Sequence, residues 1–268
     1  MSLIHPNAVV ETGAVLGEGV EIGPFCHVGA NVKLGEGVKL ISHVVVAGHT
    51  EIGARTRIFP FASIGHEPQD LKYRGERTTL RIGADCLIRE SVTMNPGTQG
   101  GGGETCVGDH CAFLAGSHVA HDCRLGAGVV LSNNVMLAGH CRVGDHAILG
   151  GGAAAHQFVR IGAHAFVGGL TGLTQDLIPF GVAVGDRAKL AGVNVVGMKR
   201  HGFSVEDVMG VRRACKALFT ENGTLQSRIE AVAREFAEVA AVQTIVSFLR
   251  QSGERGVTTP RERAEFSA

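Results

Sequence analysis

The sequence predicts a parallel β-helix built from six-residue repeats, followed by a small α-helical region. An aliphatic residue recurs every six positions over most of residues 10–173, glycine often follows it directly, and the pattern becomes helical from Ser204. A period of six fits neither an α-helix nor a simple strand, but it suits one short strand and one turn per repeat. We expect three repeats, about 18 residues, to make one triangular coil.

The aliphatic repeat keeps its phase through long stretches and resumes after two interruptions. Its positions are Val10, Leu16, Ile22, Val28, Leu34, Leu40, Val46, Ile52, Ile58, Ile64, Ile82, Ile88, Val107, Phe113, Val119, Leu125, Leu131, Leu137, Val143, Leu149, Ala155, Ile161, Val167 and Leu173. We expect each of these residues, and the residue two positions before it, to point into the coil. Five cysteines hold that second inner position: Cys26, Cys86, Cys111, Cys123 and Cys141. They are therefore interpreted as small buried apolar residues rather than ligands.

The domain prediction is a catalytic β-helix over residues 1–190, with loop insertions near 65–81 and 95–106, and a helical domain over 191–268. In the first insertion, Asp70 and Glu76 stand where the repeat requires aliphatic residues, so the chain must leave the coil. The second insertion breaks the phase by one residue, and its glycine run lacks the ending of a phosphate-binding loop. The glycine run therefore predicts a flexible loop that leaves the coil. Interruptions of a repeat are where functional groups tend to lie.

The C-terminal region predicts two helices. The letters SVED from Ser204 form a capping box that begins the first helix, and Asn222-Gly223 should end it. A second amphipathic stretch runs from Thr224 to Leu249. The tail from Gly253 is polar, and we expect it to fray.

Charge and hydropathy exclude several classes of protein. Lysine plus arginine and aspartate plus glutamate both number 25, so no net field attracts nucleic acid or an anionic membrane. No apolar run approaches the ~18 residues of a membrane span, and the first residues lack a basic segment followed by an apolar one. We expect a cytoplasmic protein without stable membrane insertion.

The stretch SHVAHDC places two histidines and an aspartate within the regular repeat. Adding 18 to a residue number gives its neighbour in the next coil, at the ~4.8 Å strand spacing. Gly139 and then Gln157 lie above His121, and His140 lies above Asp122. A histidine, with an ordinary pKa near 6.5, could take a proton from a hydroxyl, and the Gly139 N–H could face an oxyanion. Asp122 is a candidate for orienting this site.

Other interpretations of the same residues stay open at this point. His118 and His121 could bind zinc, as histidines do in a γ-type carbonic anhydrase on the same prism, although no clear third ligand is present. A coenzyme A-dependent acetyltransferase and a purely structural β-helix are the remaining alternatives.

Several ordered motifs resemble one family, and together they cover nearly the whole chain. They are SHVVVAGHT (42–50), FASIGHEPQDLKY (61–73), IRESVTM (88–94), SHVAHDC (117–123), LAGH (137–140), AHQF (155–158) and GVNVVGMKRHGF (192–203). The chain resembles the acyl-carrier-protein:UDP-N-acetylglucosamine O-acyltransferases, hexapeptide-repeat enzymes that begin lipid A biosynthesis. The resemblance implies a left-handed β-helix and a homotrimer with active sites between subunits.

The reaction implied by the resemblance is transfer of an (R)-3-hydroxyacyl group from acyl carrier protein to the sugar 3-hydroxyl. It implies no metal, no cofactor and no covalent enzyme intermediate. His121 would match the general base, Asp122 its neighbour, and Gly139 the oxyanion donor.

The resemblance also implies a set of substrate-binding residues. They are Asp70, Lys72, His118, His140, His156, Gln157, Gly169, Asn194 and Arg200. Asp70 and Lys72 would hold the nucleotide sugar from a neighbouring subunit, and Asn194 and Arg200 would contact its UDP part. The four residues from His118 to Gln157 would line the cleft. Gly169 would leave room for a longer acyl chain.

The proposed protein partner, acyl carrier protein, is acidic and requires a positive docking surface. Seven cations lie within thirty residues: Arg187, Lys189, Lys199, Arg200, Arg212, Arg213 and Lys216. For the last three, docking and an ordinary solvated helix face are both open. Asn95-Pro96, Arg187 and His201 depart from the family pattern. At His201 arginine is frequent in the family, and an imidazole is a weaker, pH-dependent phosphate partner.

Overall fold

The computed structural model describes residues 2–220, 222–251 and 253–261, and its main body is the triangular parallel β-helix that the sequence predicts. The strands of the first half are β1 (Leu3–Ile4), β2 (Val9–Val10), β3 (Val15–Leu16), β4 (Glu21–Ile22), β5 (His27–Val28), β6 (Lys33–Leu34), β7 (Lys39–Leu40), β8 (Val45–Val46), β9 (His49–Ile52), β10 (Arg57–Ile58), β11 (Ser63–Ile64), β12 (Thr79–Ile82), β13 (Leu87–Ile88) and β14 (Thr93–Met94). Those of the second half are β15 (Glu104–Val107), β16 (Ala112–Phe113), β17 (His118–Val119), β18 (Arg124–Leu125), β19 (Val130–Leu131), β20 (Met136–Leu137), β21 (Arg142–Val143), β22 (Ile148–Leu149), β23 (Ala154–Ala155), β24 (Arg160–Ile161), β25 (Phe166–Val167), β26 (Gly172–Leu173), β27 (Gly181–Val184) and β28 (Lys189–Val193).

Three sheets form the sides of the prism. Sheet A has the order β1-β4-β7-β10-β13-β16-β19-β22-β25-β27-β28, sheet B has β2-β5-β8-β11-β14-β17-β20-β23-β26, and sheet C has β24-β21-β18-β15-β12-β9-β6-β3. Successive strands of a sheet are parallel, and His118 pairs with Met136 and Val119 with Leu137. These pairs confirm the 18-residue register. Only β27 and β28 pair antiparallel among the described strands, and they end the β-helix.

The interior is filled by the two inner positions of each repeat, as predicted. Val119, Leu131 and Leu137 are fully buried, and the five inner cysteines are buried and unpaired. At the corners, the third residue after the aliphatic one turns the chain with a positive φ. The non-glycine residues that do so are Phe25, His43, Arg55, Phe61, Asp85, Ser91, His110, Asp122, Asn134, His140, His146, Phe158, His164, Leu170 and Phe180.

Two insertions leave the prism between strands. The first lies between β11 and β12, and the second lies between β14 and β15 and contains a short 3-10 helix, Gln99–Gly101. This second insertion is held against the β-helix rather than free, because Thr98 bonds to Asp122 through its N–H and its hydroxyl.

In the described part of the chain, four helices follow β28: α1 (Val195–Arg200), α2 (Val205–Thr220), α3 (Leu225–Glu235) and α4 (Ala240–Arg250). The capping box is confirmed, since Ser204 Oγ accepts the Asp207 N–H at 3.0 Å and Asp207 Oδ2 accepts the Ser204 N–H at 3.1 Å. The prediction of one helical stretch from Thr224 is wrong. Gln243 Nε2 donates to the carbonyls of Ala233 and Phe236 at 3.2 and 2.8 Å, so it satisfies the end of α3 and lets α4 start separately.

The tail was also expected to fray, and for residues 253–261 this is wrong. Val257 forms a bridge with Asp176, and Thr258 is buried against the prism. Residues 262–268 of the predicted tail lie outside the described part. Across that part, each helix is too short or too polar to cross a membrane.

Candidate active site

His121 lies at the corner where β17 of sheet B turns into β18 of sheet C. The side chain is 6% exposed, and its Nδ1 lies 2.8 Å from Oδ2 of Asp122. Asp122 holds the corner position with a φ of 60°. The turn geometry of the repeat therefore places the two side chains on the same corner.

Asp122 accepts more hydrogen bonds than the one from His121. Its Oδ1 accepts the Thr98 N–H at 2.9 Å, and its Oδ2 accepts the Thr98 hydroxyl at 2.6 Å. Burial raises the pKa of Asp122, but the bonds from His121 and Thr98 outweigh burial, so this pKa lies below its ordinary value. The carboxyl is therefore ionised near neutral pH.

The ionised Asp122 determines which nitrogen of His121 carries the proton. A carboxylate can only accept hydrogen bonds, so the proton of a neutral imidazole must sit on Nδ1. Nε2 then carries the lone pair. This is the arrangement that a histidine general base requires.

Gly139 lies directly above the ring of His121, as the 18-residue register predicts. A Cβ built on Gly139 would lie 2.5 Å from Cε1 and 2.7 Å from Nε2 of His121. Only glycine leaves space for the ring in this position. Within the described residues, the Gly139 N–H has no acceptor, so it is available to a bound molecule.

Replacing Gly139 with alanine should reduce the rate of any reaction that uses His121 by about 10²-fold, because the ring must move by a substantial part of an ångström. The measurement is kcat/KM with thermal melting alongside. The control is Gly29→Ala, where a Cβ would meet its nearest neighbour at 3.5 Å. Equal activities of the two variants would contradict this packing argument.

Two further histidines flank this corner. The ring of His140 stands edge-on to His121 at 5.0 Å and stacks on Phe158 at 4.4 Å. His118 lies on β17, and its Nδ1 is hydrogen-bonded to the Thr93 hydroxyl at 2.7 Å. Burial lowers the pKa of both His118 and His140, so both favour the neutral form.

The zinc alternative paired His118 with His121, but the structure brings a different set together. Potential ligand atoms of His121, Asp122 and His140 lie within 4.8 Å of one another, and this set is the one found across residues 2–220, 222–251 and 253–261. Asp122 already accepts bonds from His121 and Thr98.

A cavity of about 540 Å³ opens on the sheet C side of the corner. Its walls include Asp70 and Lys72 from the first insertion together with Asp122 and His140. A single chain thus already brings Asp70 and Lys72 beside the corner. Arginines from sheet C and acidic residues also line the cavity: Arg124, Arg142, Arg160, Glu76 and Glu254.

The other predicted substrate residues lie farther along the prism. His156 and Gln157 form the same corner one coil beyond Gly139, and both are exposed. Gly169 lies at the corner between sheets A and B, where a Cβ would meet the Gly151 carbonyl at 3.3 Å. One chain therefore does not bring Gly169 to the His121 corner.

Asn194 and Arg200 lie at the two ends of the short helix α1. Asn194 caps the helix by accepting the Gly197 N–H at 2.9 Å, and its Nδ2 donates to the His164 carbonyl at 2.8 Å. His164 belongs to the corner between sheets C and A. The structure therefore anchors α1 at a different corner from His121.

Three imidazoles hold α1 against that corner. His201, which follows α1, lies 4.3 Å from the ring of His146 and 4.9 Å from that of His164, and Phe180 and Phe203 cover the other sides. Burial first, and then the neighbouring imidazoles, lower the pKa of His164 to about 4. Its Nδ1 is buried without a hydrogen-bond partner among the described residues.

The stability of the protein should therefore fall as the pH drops from about 6.5 to about 4. The unfolded chain takes up a proton at the ordinary histidine pKa of ~6.5, whereas folded His164 resists protonation until about pH 4, so acid favours unfolding. His164→Asn, which tolerates the positive φ, should flatten the plot of Tm against pH in this window. His110→Asn, at an exposed position of the same corner, should leave the slope unchanged. Parallel slopes for all three proteins would contradict the assignment.

Several residues of this site were missed by the sequence analysis, among them Thr98 and Glu254. Thr98 lies in an insertion, where the 18-residue register does not apply, and Glu254 lies in the polar tail. No periodic signal marks either residue. Phe158, by contrast, could have been found, because it is 18 residues beyond His140.

The chain is similar to known proteins both in sequence and in structure. The family described as "Udp N-acetylglucosamine O-acyltransferase; Domain 2" matches residues 176–258. The chain is 66% identical over 206 residues to the acyl-[acyl-carrier-protein]–UDP-N-acetylglucosamine O-acyltransferase of Methylobacterium radiotolerans, covering 77% of this chain and 76% of the relative. It is 52% identical over 205 residues to the same-named protein of Rhizobium etli, covering 76% and 75%.

The solved structure of LpxA from Acinetobacter baumannii superposes with a TM-score of 0.93 at 40% identity, covering 96% of this chain and 99% of that one. Fold and matches define an acyltransferase on a left-handed parallel β-helix, so the expected handedness is confirmed. The chain belongs to the family of acyl-[acyl-carrier-protein]–UDP-N-acetylglucosamine O-acyltransferases.

Proposed function

We propose that this protein transfers an (R)-3-hydroxyacyl chain from acyl carrier protein to the 3-hydroxyl of UDP-N-acetylglucosamine, the first step of lipid A biosynthesis. Family membership supports the reaction, since the relatives carry this name. The observation that carries the mechanism is the 2.8 Å bond from His121 to buried Asp122, with Gly139 above the ring.

In the proposed mechanism, His121 Nε2 removes the proton from the sugar 3-hydroxyl as its oxygen attacks the thioester carbonyl. Asp122 holds the ring and stabilises the imidazolium that forms. The Gly139 N–H donates to the oxyanion of the tetrahedral intermediate. As the intermediate collapses, the C–S bond breaks, and the departing thiolate takes the proton from His121. Neither a metal nor a covalent enzyme intermediate takes part.

The cavity beside Asp122 is the proposed place of the nucleotide sugar. Asp70 and Lys72 lie on its wall, and its arginines provide positive charge for a diphosphate. His118, His156 and Gln157 would complete the cleft on the side of sheet B. Gly169 would bound the slot for the acyl chain.

We further propose that the active form is a homotrimer. The corner between sheets A and B exposes Phe25, Phe61 and Leu170, the last of them 80% exposed. A row of exposed large apolar side chains is unusual on a monomer and often marks a protein interface. A trimer could cover this edge. It could also bring Asn194 and Arg200 of one subunit toward the His121 corner of the next, which a single chain does not do.

The reaction would take place where acyl carrier protein is found, in the cytoplasm. Seven unpaired cysteines fit a reducing compartment.

The direct test is mass spectrometry of the products formed from UDP-N-acetylglucosamine and a mixture of 3-hydroxyacyl carrier proteins of different lengths. A monoacylated UDP-sugar would support the proposal, and its mass would give the chain length that the Gly169 slot accepts. Zinc in the same preparation is measured in parallel. No product, together with stoichiometric zinc and hydratase activity, would favour the metal alternative at His121, Asp122 and His140.

Docking of the carrier protein is proposed on the exposed face of α2. Arg212, Arg213 and Lys216 all point outward there, and Arg213 also bonds to Glu235 at 3.1 Å. Reversing these three charges to glutamate should raise the KM for acyl carrier protein by about tenfold or more at low salt. With acyl-pantetheine, which lacks the acidic protein, KM should not change. Equal effects on both donors would reject docking at this face.

A further inference from the structure

The chain returns to the β-helix after α4 as a segment that we call the C-terminal strap, residues 253–259. Asp176 N–H donates to the Gly256 carbonyl at 2.8 Å, and Thr258 N–H donates to the Asp176 carbonyl at 2.8 Å. The Leu190 N–H donates to the Thr259 carbonyl at 3.1 Å. The strap is thus paired with the β-helix like an additional short strand.

A buried ion pair lies beneath the strap. Arg160 donates to Asp176 from its backbone N–H at 2.8 Å and from Nε at 2.7 Å, and Asp176 is fully buried. The Arg160 guanidinium also lies over the ring of Phe248 in α4, 4.4 Å from its centre. A Cβ on Gly253 would lie 2.4 Å from Asp176 Oδ2, so the strap begins in closest contact with this pair. These contacts hold the strap in one path.

That path carries the strap along the cavity. Gly253 and Glu254 form part of the cavity wall, together with Asp122 and His140. Glu254 is close enough for its negative charge to act on the imidazole of His140. Burial lowers the pKa of His140, and the negative charges of Asp122 and then Glu254 partly oppose that effect.

The next strap residue reaches the coil above the His121 corner. Arg255 Nε donates to the Gln157 carbonyl at 3.0 Å. The Gln157 turn in turn rests on Gly139, because Phe158 N–H donates to the Gly139 carbonyl at 3.1 Å. A chain of hydrogen bonds therefore connects the strap to the backbone above His121.

We propose that the C-terminal strap is part of the acceptor site, with Glu254 as a residue that binds the sugar hydroxyls and Arg255 as a positioning residue for the Gln157 turn. This inference rests on the proposed function. A carboxylate only accepts hydrogen bonds, and a sugar offers several hydroxyl donors. Arg160 is bound to Asp176, whereas Arg142 on sheet C and Lys72 in the first insertion lie on the same cavity wall and are the cations proposed for the diphosphate.

The test compares Glu254→Ala and Arg255→Ala with two control variants, Glu230→Ala and Arg250→Ala. Glu230 and Arg250 form an exposed ion pair between α3 and α4 at 2.6 Å, so the controls remove the same residue types from the same region of the chain. Each protein is assayed for kcat, for KM of both substrates, and for UDP-N-acetylglucosamine binding by calorimetry.

Both strap variants should raise the KM and the Kd for UDP-N-acetylglucosamine by about tenfold, the usual effect of losing a hydrogen bond to a charged group. The KM for acyl carrier protein should stay constant, and the controls should match the wild type. Arg255→Lys, which keeps a cationic donor, should recover part of the lost affinity. A purely structural strap would instead lower Tm and affect both substrates alike.

The possible results distinguish a failure of the inference about the strap from a failure of the proposed function. An active wild type whose strap variants keep normal KM for the sugar nucleotide would overturn the inference about the strap alone. A wild type that neither binds UDP-N-acetylglucosamine nor forms product would overturn the proposed function, and the inference with it.

Discussion

Replacing His121 with alanine should lower kcat by on the order of 10²–10⁴-fold, the usual contribution of a positioned general base. The imidazole Nε2 is the group proposed to take the proton from the sugar hydroxyl, and the methyl group of alanine cannot do so. Binding should change little, because the cavity that would hold the sugar nucleotide is lined by other residues. The loss should therefore be in kcat, with KM for both substrates nearly constant.

The measurement is steady-state kinetics, with light scattering to establish that the assembly is intact. His110→Ala is a suitable control, because His110 is also a corner histidine but is 70% exposed and lies on another edge of the prism. If the His121 variant retains full rate, His121 is not the base and the mechanism proposed above is wrong.

Asp122→Asn should be almost as harmful, with a loss of about 10²–10⁴-fold in kcat. The carboxylate accepts from Thr98 through Oδ1 and from both Thr98 and His121 through Oδ2. An amide has a single oxygen. If that oxygen faces the Thr98 N–H, the NH2 group faces His121 and moves the imidazole proton to Nε2, where it blocks the base.

The opposite orientation of the amide has a different cost. Its oxygen could then accept from His121, but its NH2 group would face the Thr98 N–H, and two buried donors would oppose each other. Such an unsatisfied pair costs about 1–3 kcal/mol of stability. A combined measurement of kcat and Tm distinguishes the two orientations.

Asp145→Asn provides the control for Asp122. Asp145 also accepts a backbone N–H at a turn, that of Ala127 at 2.8 Å, but it does so at an exposed corner. This variant should keep full activity. Normal kcat and normal Tm for Asp122→Asn would show that the carboxylate does not orient His121.

The sequence predicts the β-helix well because paired residues in neighbouring coils are a constant 18 positions apart. Once the aliphatic residues are numbered, Val119 must pair with Leu137, and Gly139 must lie above His121. The corner residues follow by the same rule, including His140 above Asp122. This part of the site needs no tertiary information, since each coil repeats the path of the previous one.

The remaining parts of the site depend on contacts that no period encodes. Thr98 reaches Asp122 from an insertion, and its position depends on how that insertion folds back. The break between α3 and α4 contains neither glycine nor proline, and a distant glutamine, Gln243, satisfies it. The strap residues lie in a polar tail whose order comes from the buried pair of Arg160 and Asp176.

The uniform corners of the prism have a consequence for how such a molecule can change over time. At most corners the backbone adopts nearly the same left-handed turn, and where a non-glycine residue stands there, φ lies between 52° at His43 and 67° at Phe158, whichever side chain it carries. Inner positions encode the architecture, whereas corner positions display side chains at a constant spacing and contribute little to the interior. Substitutions at single corners can therefore change which groups are available for binding and catalysis, while the interior that stabilises the fold stays the same.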